Sequence, residues 1–282
     1  MEVFNSPLHA DGVCFKSAVQ KESVLFTEVP FLRMQSIQNR QLCLCCAHCL
    51  RFIGNDSLQS QFLIKMLSRQ QIQEQISQRS VFESTNDIIL CSNQCGEFYC
   101  SQNCRDSHWA FCHQLLCTGC IADEEAMTHP LIGLKIHALE NNEIFLLVAD
   151  LFAHICIVFE ENEAKGNEVI GTLNKYVRHR WEDCVVVPKR QKKSHFQSTL
   201  KRLVAESYAF LHQALALSSR QLDALLDEDF LSRTIGMFEQ NNVGIRLPSP
   251  LSKKIESLRP DSPDLDAYLH LIEQIALSLE GF

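Results

Sequence analysis

The stretch CSNQCGEFYCSQNCRDSHWAFCHQLLC, from Cys91 to Cys117, decides how this chain is read. It contains three donor pairs with three residues between the partners: Cys91/Cys95, Cys100/Cys104 and His113/Cys117. A fourth pair, Cys46/Cys49, stands upstream with two residues between its members. A tight turn brings two donors at such spacing to the same side of the chain, where both can grip one ion. Thiolate and imidazole are the ligands that Zn2+ takes in a tetrahedron. Four pairs supply eight donors, enough for two closed sites with no open coordination position. The expected metal is therefore structural zinc, two ions per chain, and not a catalytic centre.

Eleven of the fourteen cysteines lie between Cys43 and Cys120, with Cys14, Cys156 and Cys184 outside. In a secreted chain such clustering would indicate disulfides. The N-terminal MEVFNSPLHADGVCF has neither the basic start nor the long apolar stretch of a secretory signal, which points to a reducing setting and to metal binding. Nucleus and cytoplasm are both compatible with that setting. The first ligand pair is ambiguous in sequence, because Cys43, Cys45 and His48 compete with Cys46 and Cys49. Cys112 and Cys120 are spare thiols. Cys112 directly precedes His113 and is a fallback ligand, and His108 lies one helical turn earlier.

Outward from the cysteines, three regions follow. Residues 1–42 contain GVCFKSAVQKESVLFTEVPFLRMQS at 12–36, whose loosely alternating Val, Phe and Thr predict two or three short strands. Residues 43–120 hold the metal module, interrupted at about 55–85 by a Gln/Ser-rich insert. There Leu58, Phe62, Leu63, Met66 and Leu67 recur at helical spacing, and the polar QQIQEQISQRS is expected to form a mobile end. Residues 121–282 read as mainly helical. Pro130 suits a first helical turn, IFLLVADLFAHICIVF at 144–159 reads as a largely buried helix, and further helices are expected from Phe196, over 228–240 and over 264–280. Residues 160–194 read as irregular, with VVVP at 185–188 as a short strand. The basic cluster Lys189, Arg190, Lys192 and Lys193 reads as a solvated loop in preference to a nuclear localisation signal.

Hydrophobic residues make up 46% of the 282, enough to bury a core, and no apolar run approaches the ~18 residues of a membrane span. The formal net charge is −8, and zinc held by seven thiolates makes it more negative still. That sign argues against sequence-independent nucleic-acid binding and leaves room for an acidic groove that takes basic peptides such as histone tails.

The order of the donors and the residues between them resemble the MYND finger. Tyr99-Cys100-Ser101 is followed by Cys104, Trp109 stands on the next helix, and His113 and Cys117 close the string. CAHCLRF at 46–52 resembles that family's opening, which favours Cys46 and Cys49 as the first pair. The resemblance implies a cross-brace, with Cys46, Cys49, Cys100 and Cys104 on one zinc and Cys91, Cys95, His113 and Cys117 on the other. A RING finger is the nearest rival, but its histidine falls mid-order. Phe98 and Trp109 are expected to pack a small apolar core. The spacer of about forty residues between the first two pairs is longer than is usual in the family.

Strands before such a finger and helices after it resemble the SET-and-MYND protein-lysine methyltransferases, in which the finger splits a SET domain. GVCFKSAVQKESVLFTEVP at 12–30 resembles the first SET hairpin, with Ala10 where a first glycine would stand. HPLIGLKIHALENNEIFLLVADLF at 129–152 resembles the helix after the finger, and IGMFEQNNVGIRLPSPL at 235–251 the return to the SET core. The resemblance implies an α+β fold, S-adenosylmethionine as methyl donor, and histone or other protein lysines as substrate. Two of the family's segments have no counterpart here. None of the eleven histidines follows an asparagine, and Tyr99, Tyr176, Tyr208 and Tyr268 lie in no catalytic SET motif. The expectation is a chain that lacks the C-terminal SET half, does not transfer methyl groups unaided, and has exposed sheet edges. The alternative is a MYND adaptor that recruits proline-containing peptides.

Overall fold

The computed structural model describes residues 2–6, 10–64, 67–77, 88–215, 220–247 and 270. By packing, the chain divides into two units, Met1–Phe31 and Leu32–Phe282. The first holds an antiparallel hairpin, β1 (Glu2–Ser6) against β2 (Ala10–Cys14), in a register that sets Glu2 opposite Cys14 and Val3 opposite Val13. Among the described residues it is a two-stranded sheet, with Val3, Phe4 and Val13 exposed.

The expectation of two or three strands over 12–36 is corrected. β2 ends at Cys14, and no strand follows through residue 36. Val and Phe favour a strand only where a neighbour pairs the backbone and covers the side chains. No described segment pairs the backbone of 15–36 as a strand; Val24, Phe26 and Val29 stand exposed, and Leu32 and Met34 pack against the helical core without strand pairing.

The second unit is mostly helical. Its first part contains α1 (Ile37–Arg40), α2 (Asp56–Leu63), α3 (Arg69–Ser77), β3 (Ile89–Leu90) and β4 (Phe98–Tyr99). Next comes α4 (Gln102–His108), which runs through a π-helical turn at Trp109–His113 into α5 (Gln114–Leu116). The rest is α6 (Asp123–Ala126), α7 (Pro130–Glu140), α8 (Ile144–Glu161), α9 (Glu163–Leu173), α10 (Trp181–Cys184), α11 (Lys193–Leu215), α12 (Arg220–Leu225) and α13 (Glu228–Asn241). The α+β expectation thus holds only in part: among the described residues there are four short strands in two separate sheets, and helices carry the rest of the architecture.

α8 is apolar on most of its surface, with Asp150 and His154 as polar exceptions, as suits a helix packed among others. Phe145, Val148, Leu151, Phe152 and Ile155 are fully buried there, with α7, α9, α13 and the π turn packed about it. No described helix is long and apolar enough to cross a membrane. Residues 160–194, expected to be irregular, contain α9 and α10. Asn162 starts α9 by accepting from the Lys165 amide (3.1 Å). An N-cap of this kind satisfies a backbone donor that the helix itself cannot. VVVP at 185–188 forms no strand. The helix expected over 228–240 is α13, capped by Asp227, whose Oδ1 accepts from the Phe230 amide (2.7 Å). The expected helix over 264–280 lies outside the described residues, apart from His270.

The Gln/Ser-rich insert is also corrected in part. Its polar stretch is not a mobile end as far as Ser77: α3 is regular, and Ile72 is buried with Leu58 and Phe62 in a second core beside Leu44, Phe98 and Tyr99. Polar composition on the outer face had concealed one inward position per turn. Residues 78–87 lie outside the described residues.

The segment before α10 rides on α13. The Trp181 amide donates to Ser232 Oγ (3.1 Å), which in turn donates to the buried Glu182 carboxylate (2.7 Å). Gly236 permits this approach, since a Cβ there would overlap the carbonyl oxygen of His179. Gly236→Ala should therefore destabilise this unit by about 1–3 kcal/mol, the usual cost of overpacking. Urea unfolding of the zinc-loaded protein, followed by the fluorescence of buried Trp181, measures it.

Candidate metal centres

The turn that carries the first pair is a knuckle. Cys45 bridges Phe52, the Cys46 amide donates to the Arg51 carbonyl (2.8 Å), and Leu50 takes a positive φ of 62° at the tip. Side chains alternate on the extended stretch leading in, so Leu44 and Cys46 face the module core while Cys43 and Cys45 face away. Gln59 of α2 holds this entry. Its buried amide donates to the carbonyls of Leu44 (2.8 Å) and Ile53 (2.6 Å) and accepts from the Leu44 amide (3.1 Å). The Ala47 amide donates to the Phe98 carbonyl (2.8 Å), which docks the knuckle on β4.

Two groups of four donors result. The ligand atoms of Cys46, Cys49, Cys100 and Cys104 all lie within 4.8 Å of one another, and so do those of Cys91, Cys95, His113 and Cys117. Cys49 and Cys100 Sγ are 3.5 Å apart, Cys100 and Cys104 3.5 Å, and Cys91 and Cys117 3.7 Å. His113 Nε2 lies 3.4 Å from Cys91 Sγ and 3.3 Å from Cys95 Sγ. A tetrahedron with Zn–S bonds of ~2.3 Å has S···S edges of ~3.8 Å, and one with Zn–N of ~2.0 Å has N···S edges of ~3.5 Å. The donor sets have the chemistry and the spacing for one zinc ion each. First and third pairs converge on one group and second and fourth on the other, so the two groups interleave along the chain.

Burial shifts His113 below the ordinary histidine value, which favours the neutral imidazole a metal requires. Burial raises the thiols of Cys95, Cys100, Cys104 and Cys117, so metal uptake must expel protons.

The remaining candidates fall outside both groups. Cys43 and Cys45 form a separate thiol pair, Sγ to Sγ 4.0 Å, with Gln35 Nε2 donating to Cys43 Sγ (3.2 Å). His48 Nε2 lies 3.1 Å from Arg33 Nη2. Cys112 is buried in the bundle interface, donating to Asp150 Oδ1 (3.7 Å); burial and then that carboxylate push its thiol up. Cys120 is exposed and joins neither group. His108 is no exposed bystander. Its Nδ1 is hydrogen-bonded to the Tyr99 hydroxyl (3.0 Å), and its ring stacks on His113 at 5.0 Å, which orients that candidate ligand ring. Burial, then His113, hold it down at about 4. Phe98 is fully buried as expected, whereas Trp109 is corrected: it is 36% exposed and meets His113 edge-on.

Sequence reading missed the ion network behind the second group. Glu97 follows Cys95 by two residues and meets Arg40 (2.5 Å) and Arg69 (3.9 Å). Burial opposes the charge of Glu97, but the two guanidinium groups hold it well below the usual carboxylate range. Arg69 also lies over the Phe98 ring, 4.6 Å from its centre.

Among curated proteins, the Arabidopsis thaliana "Histone-lysine N-methyltransferase ATXR2" is 29% identical over 183 residues, covering 58% of this chain. The chain spans 38% of that relative's length and is its partial homologue. No family model matches the chain, and no solved structure matches it.

Cys100→Ser should lower the zinc content from two ions per chain to one, because it removes one of four ligands in a closed site. Cys112→Ser should retain both. Metal analysis of the desalted proteins checks the pair of outcomes.

Proposed function

We propose that residues 43–120 form a MYND-type structural zinc module in a protein of the SET-and-MYND lysine methyltransferase kind. The observation that carries this reading is the interleaving of the four donor pairs, which is the ligand order a cross-brace requires. The 29% identity to a histone-lysine methyltransferase supports the wider kinship. The zinc ions hold the module folded: its apolar core is small, and structural zinc contributes ~10–16 kcal/mol of apparent folding free energy in small fingers.

In this reading the module and the helices beside it position and recruit, and the substrate is a histone or another lysine-bearing protein. Methyl transfer needs a sulfonium aligned with a lysine amine in a dry channel. The Asn-His segment and the catalytic tyrosine motif that would build such a site have no counterpart among the 282 residues. Half-exposed Trp109 favours a second reading, a peptide-docking adaptor, since an aromatic face at the surface suits proline-containing ligands.

The test is calorimetric titration of S-adenosylmethionine into the zinc-loaded chain, with radiolabelled methyl transfer to core histones measured in parallel. The expected result is neither cofactor binding nor label transfer. Micromolar cofactor binding with transfer would overturn the assignment of a supporting role.

A further inference from the structure

A cavity of about 100 Å³ lies where the zinc module meets α7 and α8. Its walls bring together Arg40 of α1, Arg69 of α3, Lys135 of α7, Glu97 from the metal module and Asp150 of α8. These groups sense one another electrostatically: Arg40 and Lys135 both act on Glu97 and on Asp150.

The charges in this space do not balance. Arg40 is committed to Glu97. Arg69 donates through Nη2 to the Gly96 carbonyl (3.1 Å) and stands 3.9 Å from Glu97. Its Nη1 is buried with no hydrogen-bond partner among the described residues. Lys135 makes no ion pair among them. Burial raises Asp150 to about 7, so this carboxylate is only partly charged at neutral pH. Four cationic side chains, Arg33, Arg40, Arg69 and Lys135, thus line the space with two carboxylates, Glu97 and Asp150, in a chain whose formal net charge is −8. Positive charge withdrawn from water without a counter-ion is strongly unfavourable. A partly enclosed space also concentrates the field that draws an anion in.

We propose that this cavity is a binding site for a small oxyanion of the size of phosphate, held by Arg69 and Lys135. Guanidinium and ammonium groups are the donors that recognise such anions, through charge-assisted hydrogen bonds. This volume exceeds several times over the ~10–15 Å³ that one water needs in a cavity, and so admits a four-oxygen anion. His113 of the second donor group also lines the cavity, so the anion would sit beside that centre; the proposal does not depend on the methyltransferase reading. By placing an anion between Arg69 and Lys135, it would link the insert helix of the metal module to the helical bundle.

The experiment is titration of the desalted, zinc-loaded chain with inorganic phosphate and, separately, with sulfate, at ionic strength matched by sodium chloride. Calorimetry reads the affinity, and thermal unfolding reads the stabilisation that binding to the folded state must produce. Saturable binding that chloride does not reproduce is expected. Lys135→Gln should weaken it by about tenfold or more, as loss of a hydrogen bond from a charged group does. Asp150→Asn should tighten it by about threefold or more, because a repelling charge is gone. Arg69→Gln is expected to behave as Lys135→Gln does. If Arg69→Gln loses zinc or fails to fold, half-buried Lys135 still tests the claim. Phosphate stabilisation no greater than that of matched chloride, unchanged affinity in Lys135→Gln, or weaker binding in Asp150→Asn would each overturn the proposal.

Discussion

The constraint on which the rest depends is the interleaving of the two four-donor groups. Neither group is assembled by a local segment. Cys46 and Cys49 wait for Cys100 and Cys104, while Cys91 and Cys95 wait for His113 and Cys117. The chain loops closed by the two groups overlap along the sequence, so β4 and the knuckle at 46–51 lie side by side. The Ala47 amide to Phe98 carbonyl hydrogen bond is where they meet. The core beneath, built on Phe98, Tyr99, Leu44 and Leu58, is small for the number of residues it orders. The two donor groups are placed to hold metal ions that would supply what apolar burial does not.

The same constraint ties the metal module to the helical bundle. The helix carrying His113 passes through a π turn whose other residues are used on the far side. Phe111 stacks on His154 of α8 at 4.0 Å, and Cys112 reaches Asp150 on the same helix. The bundle thus fixes the rotation of the helix that presents the imidazole. From the opposite direction, Glu143 at the start of α8 accepts from Ser36 Oγ (3.0 Å) and the Ile37 amide (2.7 Å). This anchors α1 and with it Arg40, the partner of Glu97. Ligand geometry and helix packing are one problem in this unit.

The donor spacing was legible because zinc imposes it locally: two thiolates on one turn must be two or three residues apart, whatever surrounds them. The choice of Cys46 over Cys43 and Cys45 was legible in sequence only through the likeness of CAHCLRF to a MYND opening; its physical basis is not local. It rests on strand alternation into the knuckle and on Gln59, which reaches the Leu44 and Ile53 backbone from a helix in the insert. The long buried α8 was legible from its apolar run. α9 and α10 were not, because a polar helix capped by Asn162 and a single turn at Trp181 carry little periodicity. The ion network of Glu97, Arg40 and Arg69 was illegible for a simpler reason: its members are far apart in sequence and no spacing rule connects them. His108 stacks on His113 and meets the tilted Tyr99 ring, an arrangement that only the turn of the helix reveals. The β-rich reading of 15–36 failed because strand propensity counts for little without a partner.

X-ray absorption at the zinc edge of the purified, desalted chain tests the central claim most directly, since it reads metal identity and ligand set together. The account predicts two zinc ions per chain in tetrahedral sites, with seven sulfurs and one nitrogen shared between them. A shell containing oxygen or water, or fewer sulfurs than the interleaved groups provide, would contradict it.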